Sequence, residues 1–219
     1  MLRRKKILVV NPNSNTQVTH HLTIALQPVC FEAGPEIECV TLAEGPIGVE
    51  TQADLESVTM PLRRLVAADN SADAFVIACY SDPGLHVSRE ATTRPVFGIA
   101  EAGVLSALAR GDRFGVIAVA QRSIPRHLRY LRQMCLMDRF AGERPLNMTV
   151  AETASGADTL ERMIKIGRDL KDIDGANVVV MGCAGMARHR IALEDAIGIP
   201  VIDPTQAAVS MAIGAVMFQ

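Results

Sequence analysis

A repeated plan of strand, cysteine and helix restricts this chain more than any other feature. Asp73-Ala74-Phe75-Val76-Ile77-Ala78-Cys79-Tyr80-Ser81-Asp82-Pro83-Gly84-Leu85 leads an apolar strand into a cysteine and then a helix start. Gly175-Ala176-Asn177-Val178-Val179-Val180-Met181-Gly182-Cys183-Ala184-Gly185-Met186 follows the same plan. Cys79 and Cys183 are offset by 104 residues, the strands starting at Pro95 and Pro200 by 105, and those starting at Ile7 and Phe114 by 107. Three landmarks with nearly one offset imply two halves with the same order of elements. Strands alternate with helices throughout, the pattern of mostly parallel sheets. The expected fold is α/β, with two similar three-layer lobes related by a pseudo-twofold axis. The first lobe is expected over residues 1–97, completed by a closing helix over 205–219, and the second over 98–204. Ligands of such sheets bind outside the carboxyl ends of the strands, so both cysteines should face the interlobe cleft from opposite walls.

In chain order, Ile7 to Val10 reads as a strand, followed by the polar loop Asn11-Pro12-Asn13-Ser14-Asn15 and a helix stripe at Val18, Leu22, Ala25 and Val29. Ile37 to Leu42 is a weaker strand. Leu55, Val58, Leu62 and Leu65 are spaced as a helix that Pro61 is expected to kink or split. Phe75 to Ala78 is the first cysteine strand, and Asp82-Pro83 predicts a helix start just after it, with the aspartate as cap. Val96 to Ile99 is the next strand, and Glu101 opens a helix with Ala102, Leu105 and Leu108. The later strands are expected at Phe114 to Val119, Leu146 to Val150, Val178 to Met181 and Pro200 to Asp203. Helices are expected after Ser123, over Leu160 to Leu170, from Met186 to Ala196 and from Thr205 to Phe218.

The 219 residues, 49% of them hydrophobic, suffice to bury one large core or two smaller ones. A net charge of -2, with no basic block beyond Arg3-Arg4-Lys5-Lys6, leaves no electrostatic footprint for nucleic acid. The apolar run Ile7 to Val10 is too short for a signal-peptide core, and no stretch approaches the roughly 20 apolar residues of a membrane span. A cytoplasmic protein is expected, with a small-molecule carbonyl substrate and further copies of itself as partners, and without nucleic acid or membrane.

Five cysteines, at 30, 39, 79, 135 and 183, make an odd number with no C-x-x-C pair, which argues against a disulfide framework or a zinc site. Cys135 on a stripe with Leu128 and Leu131, and Cys39 in a strand, are expected to pack, and no metal site is expected. Cys79 and Cys183 fall where free backbone N–H groups and a helix dipole should favour thiolate and lower the pKa. Two thiols facing each other suit a two-base proton transfer, in which one takes a proton from a stereocentre and the other delivers one to its opposite face. The carbon must be acidified by a neighbouring carbonyl, and the N–H groups of Tyr80, Ser81, Ala184 and Gly185 could hold the enolate oxygen. Asn11, Asn13 and Ser123 are further candidates for substrate binding. His189 and Glu101 are weighed against a surface histidine and a helix-dipole glutamate.

Asn11-Pro12-Asn13-Ser14, Cys79-Tyr80-Ser81-Asp82-Pro83-Gly84-Leu85, Gly98-Ile99-Ala100-Glu101-Ala102 and Gly182-Cys183-Ala184-Gly185-Met186 together resemble the aspartate/glutamate/hydantoin racemase superfamily. Within it they are most similar to the hydantoin and allantoin racemase branch. The likeness spans nearly the whole chain, and the two cysteine motifs are its specific part. It implies a two-lobe fold, no cofactor, Cys79 and Cys183 as the acid/base pair, and a site between the lobes. Glutamate racemases carry Gly-Cys-Thr-His at the second motif. Here Ala184-Gly185 replaces Thr-His, which points away from an amino-acid substrate. The Thr-Thr pair usual in the hydantoin branch is replaced by Ala118-Val119-Ala120, so two hydroxyls are missing. Other outcomes of the same fold are an amino-acid racemase, a maleate isomerase or an arylmalonate decarboxylase. The decarboxylase uses one catalytic cysteine, and the retained Cys79 argues against it. A two-lobe protein that binds a small molecule without turnover is the alternative outside enzymes.

Overall fold

The computed structural model describes residues 3–155 and 158–218, so Met1, Leu2 and Gln219, at the ends of the expected lobes, lie outside it. The first half runs β1 (Lys6–Asn11), α1 (Thr16–Ala25), β2 (Glu36–Thr41), α2 (Gln52–Ala68), β3 (Ala74–Ile77), α3 (Leu85–Glu90), β4 (Val96–Gly98) and α4 (Ile99–Leu108). The second runs β5 (Phe114–Ala118), α5 (Ile124–Gln133), β6 (Phe140–Pro145), α6 (Val150–Ser155), α7 (Thr159–Asp172), β7 (Val178–Gly182), α8 (Arg190–Ile197), β8 (Val201–Ile202) and α9 (Pro204–Met217). Each half contributes one four-stranded sheet, in the orders β2-β1-β3-β4 and β6-β5-β7-β8, with every pairing parallel. The repeat in the sequence is thus a repeat of topology.

Side chains alternate across each strand, and both faces of the central strands are buried, as parallel sheets covered by helices require. Ile7 and Val9 of β1 and Ala74 and Val76 of β3 turn to one face, Leu8, Val10, Phe75 and Ile77 to the other. In the second sheet Val179 and Met181 face inward while Val178 and Val180 face the opposite layer. The inward faces of both sheets join α1, α7 and α9 in one continuous core. α9 then returns to pack on α4, β3 and β4. Truncating a fully buried member such as Ile7 or Leu22 to alanine would cost about 2–5 kcal/mol. Among the described residues no helix is long and apolar enough to cross a membrane.

Several local expectations are corrected. Pro61 does not split its helix: α2 is one element of 17 residues, held by a capping box between Thr51 and Asp54 and by burial of Val58, Leu62 and Val66. Asp82 does not cap the helix after Cys79. It adopts φ 44, that helix begins at Leu85 behind Gly84 in the left-handed region, and the Asp82 carboxylate reaches α4 instead. The strand expected at Leu146 to Val150 lies earlier, over the half-buried, polar β6, because an edge strand need not be apolar. The helix expected from Met186 starts as a 3-10 turn over Ala184–His189, tightened by Met186 N–H on the Cys183 carbonyl at 3.2 Å. Cys135 does not pack in the helix stripe. It lies beyond α5, exposed, with φ 58, because that helix ends at Gln133. Cys39 does pack against the core from β2.

Candidate active site

In the strand orders given above, chain direction across the sheet reverses between β1 and β3, and again between β5 and β7. Loops leaving these neighbouring strands diverge and open a crevice at the carboxyl edge. A cavity of about 570 Å³ occupies this position in both sheets at once. From the first half it is lined by Asn13 after β1 and by Ala78, Cys79, Tyr80 and Ser81 after β3. From the second half come Val119, Ala120 and Ser123 after β5 and Gly182, Cys183, Ala184 and Gly185 after β7. Both thiols therefore border one space, each from its own lobe. Of Ala118-Val119-Ala120, Val119 and Ala120 lie on its wall.

The two thiols are held differently. Cys183 ends its strand directly and caps the 3-10 turn, its Sγ accepting the Gly185 N–H at 3.3 Å, with Thr153 Oγ1 at 3.8 Å. Cys79 is partly open to the cavity and takes a hydrogen bond from the Ser81 N–H. Burial nevertheless dominates, and the Cys79 thiol is pushed up to about 12; the Ser81 N–H and the Arg126 charge pull it down, while Cys183 raises it further. Cys183 is also raised by burial, against the pull of Gly185 N–H and the Thr153 hydroxyl. This reverses the expectation of lowered pKa values, because removing a thiolate from water costs more than one N–H group and a short helix return. Two of the four N–H groups expected to face an enolate, those of Ser81 and Gly185, are turned on the sulfurs instead.

Asn11 is fully buried and does not line the cavity. Its Nδ2 donates to Asn13 Oδ1 at 3.0 Å, Asn15 O at 3.1 Å and Thr19 Oγ1 at 3.0 Å, so it shapes the loop that presents Asn13. Asn13 Oδ1 also accepts from the Asn15 N–H, and Asn13 lines the cavity. Ser123 gives its hydroxyl to Ala120 O at 2.8 Å. His189 bonds Arg188, and Glu101 pairs with Arg89 at 2.6 Å; neither lines the cavity.

Other residues at the site were not expected. Arg126 Nε donates to Ser81 Oγ at 2.9 Å, and His127 places Nε2 3.3 Å from the same oxygen. His127 Nδ1 meets Glu143 Oε1 at 2.5 Å, and its ring stands edge-on to Tyr80 with centroids 5.2 Å apart. At the mouth, Glu50 joins the halves by accepting Val150 N–H at 3.0 Å and pairing with Arg122. A helix that follows a switch-point strand turns its first residues toward the crevice, and that signal could have found Arg126 and His127. Nothing local in the sequence marks Glu50, Glu143 or Thr153.

Residues 7–212 match the family model described as Asp/Glu/Hydantoin racemase. A hydantoin racemase of Paenarthrobacter aurescens is 35% identical over 212 residues, covering 94% of this chain and 89% of that protein. The structure of an allantoin racemase from Klebsiella pneumoniae superposes with a TM-score of 0.91 at 28% identity, over 98% of this chain and 88% of that one. An allantoin racemase from Pseudomonas fluorescens does so with a TM-score of 0.91 at 27% identity, over 97% and 91%. With two matching parallel-sheet lobes and a likeness along nearly its whole length, the chain belongs to the Asp/Glu/Hydantoin racemase family.

Proposed function

We propose that this chain is a cofactor-independent racemase of hydantoin- or allantoin-type cyclic ureides, with Cys79 and Cys183 as its acid/base pair. The observation that carries the reading is that the two thiols border one cavity from opposite lobes, at the switch points of both sheets. A planar enolate between them can be protonated from either side. One thiolate removes the proton on carbon 5 of the ring, which the adjacent carbonyl acidifies, and the opposite thiol returns a proton to the other face. The Asn13 amide and the N–H groups of Tyr80 and Ala184 remain to hold ring and enolate oxygens. Because burial raises both thiols, the free enzyme holds them protonated at neutral pH. The scarce thiolate is correspondingly a strong base, as a weak carbon acid requires.

Deuterium wash-in tests this. An enantiopure 5-substituted hydantoin or allantoin in deuterated buffer should lose its optical rotation and its carbon-5 proton together. Retention of both means that the substrate class is wrong. If no carbonyl acid in a wider panel exchanges, the protein binds without turning over, and the enzymatic reading fails.

A further inference from the structure

Beside the cavity lies a second space of about 330 Å³, its open side included, bordered by residues of α4, α5, β5 and β6. Tyr80, Ser81, Arg126 and His127 border both spaces. Val104, Val116 and Leu131 give the chamber an apolar floor. Its polar end is Glu143, whose side chain is 1% exposed. Glu143 Oε1 meets His127, but Oε2 is buried with no hydrogen-bond partner among the described residues. A buried carboxylate oxygen left unpaired is destabilising, and it marks a place where a donor belongs.

We propose that this chamber receives the substituent of the reacting carbon, and that Glu143 selects substituents ending in an N–H donor, such as a ureido group, over alkyl or aryl ones. The inference rests on the racemase reading and adds the class of substrate. A ureido group offers N–H donors to Glu143 Oε2 and a carbonyl oxygen to the Arg126 guanidinium, which borders both spaces. An alkyl chain satisfies the floor but leaves Oε2 as it was. Oε1 is already engaged by His127, so the selecting oxygen is held in place before the substrate arrives.

The test compares kcat/KM for enantiopure allantoin, 5-isobutylhydantoin and 5-methylhydantoin in the unaltered protein, Glu143→Gln and Val104→Phe. Gln keeps the shape, gives its oxygen to His127 and turns an amide donor toward the chamber. The preference for allantoin over 5-isobutylhydantoin, at least about tenfold in the unaltered protein, should fall by about ten- to a hundredfold in Glu143→Gln. Filling the chamber with Val104→Phe should lower allantoin and 5-isobutylhydantoin at least tenfold relative to 5-methylhydantoin. Each ratio is taken within one variant, so partial unfolding lowers numerator and denominator alike, and Val104→Met replaces a Phe variant that does not fold. An allantoin preference within threefold of the unaltered value in Glu143→Gln, or unchanged relative rates when the chamber is filled, overturns the assignment. If none of the three compounds racemises, the cyclic-ureide substrate class on which the inference rests has failed; if all racemise without selectivity, only the chamber has.

Discussion

The two lobes share a topology but solve two local problems differently. β7 ends at Gly182, and Cys183 follows at once as the cap of its own turn, bonded to the Gly185 N–H and the Thr153 hydroxyl, with Asp203 as the nearby charge. β3 ends two residues before Cys79, and the chain then passes through left-handed conformations at Asp82 and Gly84, which leaves Cys79 in an open turn near the Arg126 charge. The second problem is the helix after the fourth strand. Asp203 caps α9 through the N–H groups of Thr205 at 2.7 Å and Gln206 at 3.0 Å. The matching position before α4 is Gly98, and the carboxylate there comes from Asp82, which accepts from Ala100 N–H at 2.9 Å and Glu101 N–H at 2.8 Å. A Cβ on Gly98 would lie 2.2 Å from Asp82 Cγ, so glycine makes room for the borrowed cap. Both helix N-termini receive a carboxyl group, but only in the first lobe does the cap also tie the cysteine loop to the helix.

The largest expected effect breaks the pair. Cys79→Ser or Cys183→Ser should each lower racemisation by at least about 10²- to 10⁴-fold. Each variant should still exchange the carbon-5 proton of one enantiomer, and the two should prefer opposite enantiomers by NMR in deuterated buffer. Exchange of the same enantiomer by both would replace the facing-thiol mechanism by a one-base route.

Next in size is pH. With Cys79 raised to about 12 and Cys183 also raised, kcat/KM should climb by about tenfold per pH unit from pH 6 to 9. A plateau below pH 8 would show that one thiol ionises far more readily than its burial allows.

The hydrogen-bond partners of Cys183 can be probed alone. In the Cys79→Ser background only Cys183 exchanges, and adding Thr153→Val should slow that exchange about three- to tenfold, because the Thr153 hydroxyl supports the thiolate. In the Cys183→Ser background the same change should leave exchange by Cys79 within about twofold. Equal slowing in both would mean that Thr153 acts on the fold and not on one wall.

The two caps predict a difference in stability with pH. Burial raises Asp82 to about 7 and Asp203 to about 6, outweighing the N–H bonds that favour the anion. A raised folded pKa means that the native state holds the proton more tightly. The contribution is therefore present below the unfolded value of 3.8 and is lost as pH rises, through about 7 for Asp82 and about 6 for Asp203. Urea unfolding should show a loss on the order of 1–3 kcal/mol across that range. Asp82→Asn should flatten the curve up to neutrality, and Asp203→Asn only its more acidic part. Curves that keep their slope in both variants would move the pH dependence elsewhere.

The smallest effects belong to the remaining cysteines. Cys30→Ala and Cys135→Ala, both exposed, should change stability by less than about 0.5 kcal/mol and leave turnover unaltered. Cys39→Ala, half-buried on β2, should cost about 1 kcal/mol without loss of turnover. Equal loss of turnover at all five positions would mean that folding, not chemistry, distinguishes Cys79 and Cys183.

What could be read from the sequence was whatever repeats or alternates. The succession of strands and helices along each half and the placing of both cysteines after strands follow from periodicity and from the offset between halves, whereas the order of strands in each sheet and the core shared by the halves are tertiary. Polar β6 escaped because strand periodicity is a signal of burial, and an edge strand is only half-buried. Only the tertiary structure decided the charge state of the thiols: N–H groups beside a cysteine are local, but the desolvation that outweighs them comes from the whole fold. It also decided that Asp82 serves α4, that Glu50 reaches Val150 and Arg122, and that Arg126, His127 and Glu143 gather behind Ser81. These contacts span 16 to 100 residues of chain and leave no local pattern, because a hydrogen bond depends on where two groups meet in space and not on their spacing in sequence.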